Sequence, residues 1–226
     1  MTFSLVGRCA RTGQLGAAVT TSSLAVGSRC SFARAGVGAA LTQHRTDPRL
    51  GPCALDLLAR GFSAAEAMKT IVAETPYRDW RQLALIDAAG RTAVFSGAHV
   101  RAERGEAQGR DCAAIANIVR SATIPQAMVE SFERAPDRPL AQRLVEALAA
   151  GEEAGGEFVP VTSAALIVVD RESFPYVDLR VDDHATPIAE LARLWSAYRP
   201  EADAYVVRAV DPERAVPPPG MVAGKV

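Results

Sequence analysis

The chain has 226 residues, 49% hydrophobic and 23% charged, with a formal net charge of −1. That length supports one large domain or two small ones with a proper core, and the balance excludes a disordered chain and a polybasic nucleic-acid binder. No basic segment precedes a secretory-type apolar run and no apolar stretch is long enough to cross a bilayer, so a cytoplasmic protein is expected, without membrane or nucleic-acid partners.

Met1 is followed by Thr2. Aminopeptidases remove an initiator Met ahead of a small side chain. Removal here leaves Thr2 with a free α-amine beside its own hydroxyl, a self-contained base and nucleophile. Thr2 is thus the first candidate catalytic residue, against the plain alternative that any start codon can be followed by Thr. Residues 3–8 and 15–21 read as hairpin strands joined at Thr12-Gly13, and Thr20-Thr21-Ser22-Ser23 ends the second. Ser31 to Ala35 and Val37 to Thr42 read as further strands, with Gly36 and Gly38 permitting close approach. Arg34 lies between two alanines. It either points outward at an edge or sits inside, paired, where it would hold a substrate carboxylate through two parallel hydrogen bonds. Gln43-His44 ends an apolar strand, a usual place for site residues.

Helices are predicted from Pro52 to Ala59, stopping at Gly61, and from Ser63, whose Glu66 three residues on marks a capping box. Strands follow at Arg81 to Asp87 and Thr92 to Ser96. Ser96-Gly97-Ala98-His99 then repeats the pattern of a strand end, a glycine and a histidine. Cys112 to Val119 is ambiguous between strand and helix. Pro125 to Arg134 and Pro139 to Ala150 read as helices opened by proline, and Gly151 to Gly156 as a flexible loop. Strands Ser163 to Asp170 and Tyr176 to Val181 precede a helix from Pro187 to Tyr198. The charges of Asp178 to His184 suit an ion-paired strand running into a helix cap. Residues 1–200 are expected to form one domain and 201–226 an extension ending in Pro217-Pro218-Pro219-Gly220. Within it Tyr205-Val206-Val207 is β-prone, and is expected to join a sheet edge or a neighbouring subunit, giving a homo-oligomer.

Antiparallel hairpins alternate with helix pairs, which argues against a doubly wound parallel sheet. Two sheets packed face to face with helices outside satisfy the order, as does one sheet with helices on one side. Phe3, Leu5, Val19, Val37, Leu85, Val94 and Ile167 are expected on the inward faces. The four cysteines lack any ligand spacing and the three histidines are scattered. P-loop, GxGxxG, GxSxG and HExxH motifs are absent, so no metal or cofactor is expected. Cys112 stands out for following the polar run Gly109-Arg110-Asp111.

Several stretches together resemble a known family. They are Met1 to Val6, Leu15 to Val19, Ala33 to Ala39, Thr42-Gln43, Thr46 to Pro52, Phe95 to His99, Gly109 to Cys112, Asn117, Ser163 to Leu166 and Val177 to Asp182. The family is DUF 1028, in the N-terminal-nucleophile (Ntn) hydrolase clan. The resemblance implies an α+β, four-layer αββα sandwich and an N-terminal Thr nucleophile at Thr2. It also places Arg34 near the basic residue that tunes the nucleophile in the proteasome branch, although arginine gives up a proton reluctantly. The chain departs from the family pattern at Ile115-Ala116, where Gln-Gly precedes the asparagine.

Two functions of different class follow. In the first the protein hydrolyses a C–N (amide) bond in a small soluble substrate: Thr2 attacks, its amine takes the proton, and Asn117 or a backbone N–H stabilises the oxyanion. Ser4, Arg34, Gln43, His44 and His99 are the substrate-binding candidates. In the second Met1 stays, and Ser4, Gln43, His44, His99 and Asn117 line a pocket that binds a small molecule without turnover. A weaker third reading uses Cys112 or His99 without Thr2.

Overall fold

The computed structural model describes residues 1–215. Its strands are β1 (Thr2–Arg8), β2 (Leu15–Thr21), β3 (Ser31–Arg34), β4 (Gly38–His44), β5 (Arg81–Asp87), β6 (Thr92–Ser96), β7 (Arg104–Gly109), β8 (Cys112–Asn117), β9 (Ser163–Val169) and β10 (Val177–Val181). Its helices are α1 (Leu50–Ala59), α2 (Ala64–Glu74), α3 (Ile124–Arg134), α4 (Leu140–Glu153), α5 (Pro187–Tyr198) and α6 (Ala202–Val210). One sheet has the order β10-β9-β2-β1-β8-β7 and the other β3-β4-β5-β6. Every named pairing is antiparallel.

Alternation along the strands sends side chains into three separate cores. Val6, Val19, Leu41, Ile86 and Ile115 fill the space between the sheets. Phe3, Leu5, Ala114 and Leu166 point the other way, under α3, α4 and α5. Leu83 and Leu85 lie under α1 and α2 with Leu55, Met68 and Ile71. The molecule is therefore an α+β, four-layer αββα sandwich. Of the residues expected on inward faces, Val19, Val94 and Ile167 are between the sheets, while Phe3, Leu5, Val37 and Leu85 face helices. Parity decides which, and a single strand read alone does not say which of its two buried faces meets the other sheet.

Local chemistry explains the element ends. Ser63 and Glu66 form the capping box of α2. Gly61 has φ +93 and ends α1: its N–H reaches Leu58 O and the Phe62 N–H reaches Leu57 O, a Schellman closure. Asp87 joins two elements, since its carboxylate accepts from Ala64 N at the start of α2 and from Ala89 N and Arg91 N in the β5–β6 turn.

The structure settles one open reading, adds one strand and corrects two expectations. Cys112 to Asn117 is a strand, paired on both sides. Its neighbour β7 is an edge strand whose Arg104, Glu106 and Gln108 are too polar to read as one. Helix α4 runs on to Glu153, through part of the expected Gly-rich loop, and Phe3 packs on Gly151. Tyr205-Val206-Val207 lies in helix α6, where Ala202, Asp203 and Ala204 supply a helical first turn, Tyr205 meets Tyr198 and Asp203 accepts from Tyr176. The proline-rich tail from Pro217 lies outside the described residues.

Candidate functional site

The inter-sheet core changes character along its length. Over most of it the residues are apolar, but at the end where β1 begins they are polar. Thr2, Ser4, Thr21, Gln43, Gln82 and Asn117 are all buried there, on the parity that places Val6, Val19, Leu41, Ile86 and Ile115 between the sheets.

One backbone carbonyl fixes the sense of this network. Gln82 Nε2 donates to Ala116 O at 3.0 Å and to Ser96 Oγ at 2.9 Å. Its Oε1 must then face the other way, where it accepts from Gln43 Nε2 at 2.7 Å and Asn117 Nδ2 at 3.0 Å. Gln43 Oε1 is left to accept from Ser4 Oγ at 2.7 Å. Asn117 Oδ1 is buried with no partner among the described residues.

In front of the network lies a cleft of about 410 Å3 that includes Met1, Thr2, Thr21, Cys30, His44 and Thr46 in its lining. Three arginines, Arg29, Arg45 and Arg81, also line it; no carboxylate does among the described residues, although Arg81 lies 3.8 Å from Asp47 behind it, and the cleft therefore favours an anion. A smaller cavity of about 190 Å3 adjoins it through Met1, His44 and Arg45, and adds Arg101. Thr2 is 7% exposed at the cleft floor, on a strand central to its sheet. Its hydroxyl donates to Met1 O, and Thr21 Oγ1 donates to the same oxygen at 2.6 Å. The two hydroxyl oxygens are 3.5 Å apart. Burial lowers the pKa of the Met1 amine; Glu157 acts the other way and Arg101 reinforces the drop. Glu157 is itself pushed up by burial, although one oxygen accepts from Ser22 N at 3.0 Å.

The sequence candidates divide. Thr2 and His44 line the cleft. His44 ends β4 with φ +70, which breaks the alternation and turns its ring onto Trp80, where Nδ1 lies 2.8 Å from the Trp80 carbonyl oxygen. Burial holds its pKa below the ordinary value. Ser4, Gln43 and Asn117 stand behind Thr2 in the buried network, and Asn117 turns its amide N–H to Gln82 instead of the cleft. His99 is outside the cleft, exposed and tilted against Trp80, its ring centroid 4.8 Å away. Arg34 is at the wrong end: it sits opposite Gly38, the first residue of β4, while the cleft lies beyond His44, the last. There it pairs with Asp56 at the surface. Arg29, Arg45 and Arg81 occupy the position expected of it. Cys112 is fully buried and its thiol is pushed up to about 12 by burial, which removes it as a nucleophile.

Gln82, the centre of the network, was not legible beforehand. A polar residue opening an apolar strand reads as a strand end, and its parity acquires meaning only once the two sheets are stacked.

The fold and site thus define an αββα sandwich whose first strand opens, hydroxyl first, onto a basic cleft. The chain belongs to DUF1028, a family of unknown function, whose model matches residues 2–191. The crystal structure of protein SPO2555 from Silicibacter pomeroyi, assigned to the same family, is similar at a TM-score of 0.81 and 30% identity, over 87% of this chain and 85% of that one. Anbu (ancestral beta-subunit) from Yersinia bercovieri matches at a TM-score of 0.43 and 12% identity, over 89% of this chain and 96% of that one, a likeness too low to bear on function. No curated protein matches the sequence.

Proposed function

We propose that the protein hydrolyses an amide bond in a small anionic substrate, with Thr2 as an N-terminal nucleophile of the Ntn type once Met1 has been removed. The observation that carries this reading is the placement of the Thr2 hydroxyl on the floor of the basic cleft, against a carbonyl oxygen that Thr21 also holds. Removal of Met1 leaves a place for an acyl group at that point. Thr2 Oγ1 adds to the substrate carbonyl while the Thr2 amine takes the hydroxyl proton. The Thr21 hydroxyl, freed from Met1 O, donates to the developing oxyanion. The amine then passes the proton to the leaving nitrogen, and water hydrolyses the ester at Thr2. Asn117 is the cross-strand neighbour of Thr2, and its unpartnered Oδ1 orients the new amine. Arg29, Arg45 and Arg81 bind the anionic group.

A second reading has its own support. Met1 O accepts from two hydroxyls and the Met1 amine is half enclosed, so Met1 is well accommodated where it stands. In that case the cleft binds an anion without turnover. Intact mass of the purified protein, followed by a panel of N-acyl amino acids assayed for free amine, separates the two. Hydrolysis by a chain beginning at Thr2, falling at least a thousandfold in Thr2→Ala and trapping an acyl adduct on Thr2, is the expected result. Active material that keeps Met1 rejects the Thr2 mechanism.

A further inference from the structure

A second cavity lies at the opposite end of the six-stranded sheet, where β1 finishes. Its volume is about 670 Å3 and its lining includes Arg8, Arg11, Arg110 and Arg143. Arg8 ends the strand that Thr2 begins, so the sandwich itself separates this cavity from the Thr2 cleft.

Arg143, on α4, is the informative member. It is only 5% exposed, yet no carboxylate lies within salt-bridge distance among the described residues. Its guanidinium lies 3.7 Å from the centroid of the Phe132 ring, and its Nε donates to Phe132 O at 2.9 Å. That bond closes the end of α3 and leaves the two Nη groups, which no hydrogen bond among the described residues engages, on the cavity wall. Burial lowers the Arg143 pKa, and Asp111 and Glu133 nearby act the other way without cancelling the drop.

The cavity's carboxylates offset its arginines only in part. Asp111 is engaged by Arg8 at 2.9 Å, Glu133 accepts from Arg110 N at 2.5 Å, and Asp137 also lines the space, so four arginines face three carboxylates. Arg8 Nε is also buried without a partner. Arg11 and Arg110 are exposed at the rim, where Arg11 Nη2 makes a long 3.4 Å hydrogen bond to Asp137 O. Several guanidinium forks converging on one space match the oxygens of a multiply charged oxyanion, which several N–H groups engage at once.

We propose that this cavity is a binding site for a small oxyanion ligand of two or more charges, held by Arg143 and Arg8 within and by Arg11 and Arg110 at the rim. The chemistry is common to phosphate esters and to di- or tricarboxylates. Calorimetric titration of the full chain with pyrophosphate and, separately, citrate, against sodium chloride at matched ionic strength, tests the site and distinguishes the two sources. Saturable binding of at least one probe is expected, with one equivalent that persists when the Thr2 cleft is altered. R11A and R110A, both at surface positions, should each weaken it about tenfold, and R143M, which keeps the packing volume on Phe132, should abolish it. R45A, in the Thr2 cleft, should leave it unchanged. No binding beyond the chloride control overturns the proposal, as does binding that R45A removes and the cavity variants spare.

Discussion

Gln82 is the residue on which most of the buried polar end depends. It supplies the acceptor for two side-chain amides and the donor for Ala116 O and Ser96. Q82L leaves Gln43, Asn117 and Ala116 with unmet groups inside the sandwich, each costing about 1–3 kcal/mol. An unfolding free energy lower by about 3 kcal/mol or more in urea titration is expected, whereas Arg34→Ala, at an exposed ion pair, should change stability by less than about 1 kcal/mol. His44 governs part of the acid response. Its folded pKa lies below the ordinary value, mainly through burial, so from about pH 6.5 downward the unfolded chain binds the extra proton first and stability falls as pH drops through that window. H44N, chosen because asparagine tolerates φ +70, should flatten this limb between pH 7 and 5 in thermal melts. Wild type and variant share the opposing contribution of Glu157, so their difference isolates the histidine. Of the site, the sequence disclosed Thr2, Ser4, Gln43, His44 and Asn117 as polar groups at strand ends. It did not disclose that three of them sit behind the cleft, because that depends on which way each side chain turns. Arg34 was misplaced for a related reason: a residue count along the chain does not say to which end of a strand it leads.

At the level of elements, Asp87 does more than its place at the end of β5 suggests. Its carboxylate caps α2 through Ala64 N, closes the turn through Ala89 N and Arg91 N, and pairs with Arg91. The capping box at Ser63 serves one helix end only. S63A should therefore cost about 1 kcal/mol, and D87A, which leaves several backbone donors without acceptors, about 3 kcal/mol; chemical denaturation of both variants gives the ranking. Equal losses would show that the turn and the helix start hold without the shared carboxylate. Most hairpins and helix pairs were legible, because their periodicity and their glycine, proline and serine punctuation agree. Strand β7 was not, since an edge strand needs only one buried face and Arg104 to Gly109 spends little of itself on apolar contact. Helix α6 was misread for the opposite reason. Its Tyr-Val-Val triplet favours a strand locally, but contacts with Tyr198 and Tyr176 decide in favour of helix.

In the whole molecule, α6 lies against the hairpin of β9 and β10 through Tyr176 and Asp203. That hairpin turns beside Leu15, at the end of the sheet away from Thr2. Truncation before Ala202 removes the Tyr176–Asp203 hydrogen bond, the Arg208–Glu201 ion pair and the Tyr198–Tyr205 contact, together about 2 kcal/mol. The melting temperature should drop by about 5 °C, while ligand binding in the Thr2 cleft stays as it was; a loss of cleft binding would show that the two ends are coupled. The buried polar row has a consequence for how the layers find their alignment. The space between the sheets is filled by apolar residues throughout, with Ala17, Ala39, Ala84, Ala113 and Ala165 interleaved among larger ones. A strand sliding by two positions would keep its parity and still present apolar residues of other sizes, so hydrophobicity alone does not reject the shifted arrangement. Ser4, Gln43, Gln82 and Asn117 do discriminate, because a two-residue slip carries an amide into the greasy stretch and strands its partners. The row thus works like the notches of a key: it makes neighbouring alignments of the strands too costly to populate.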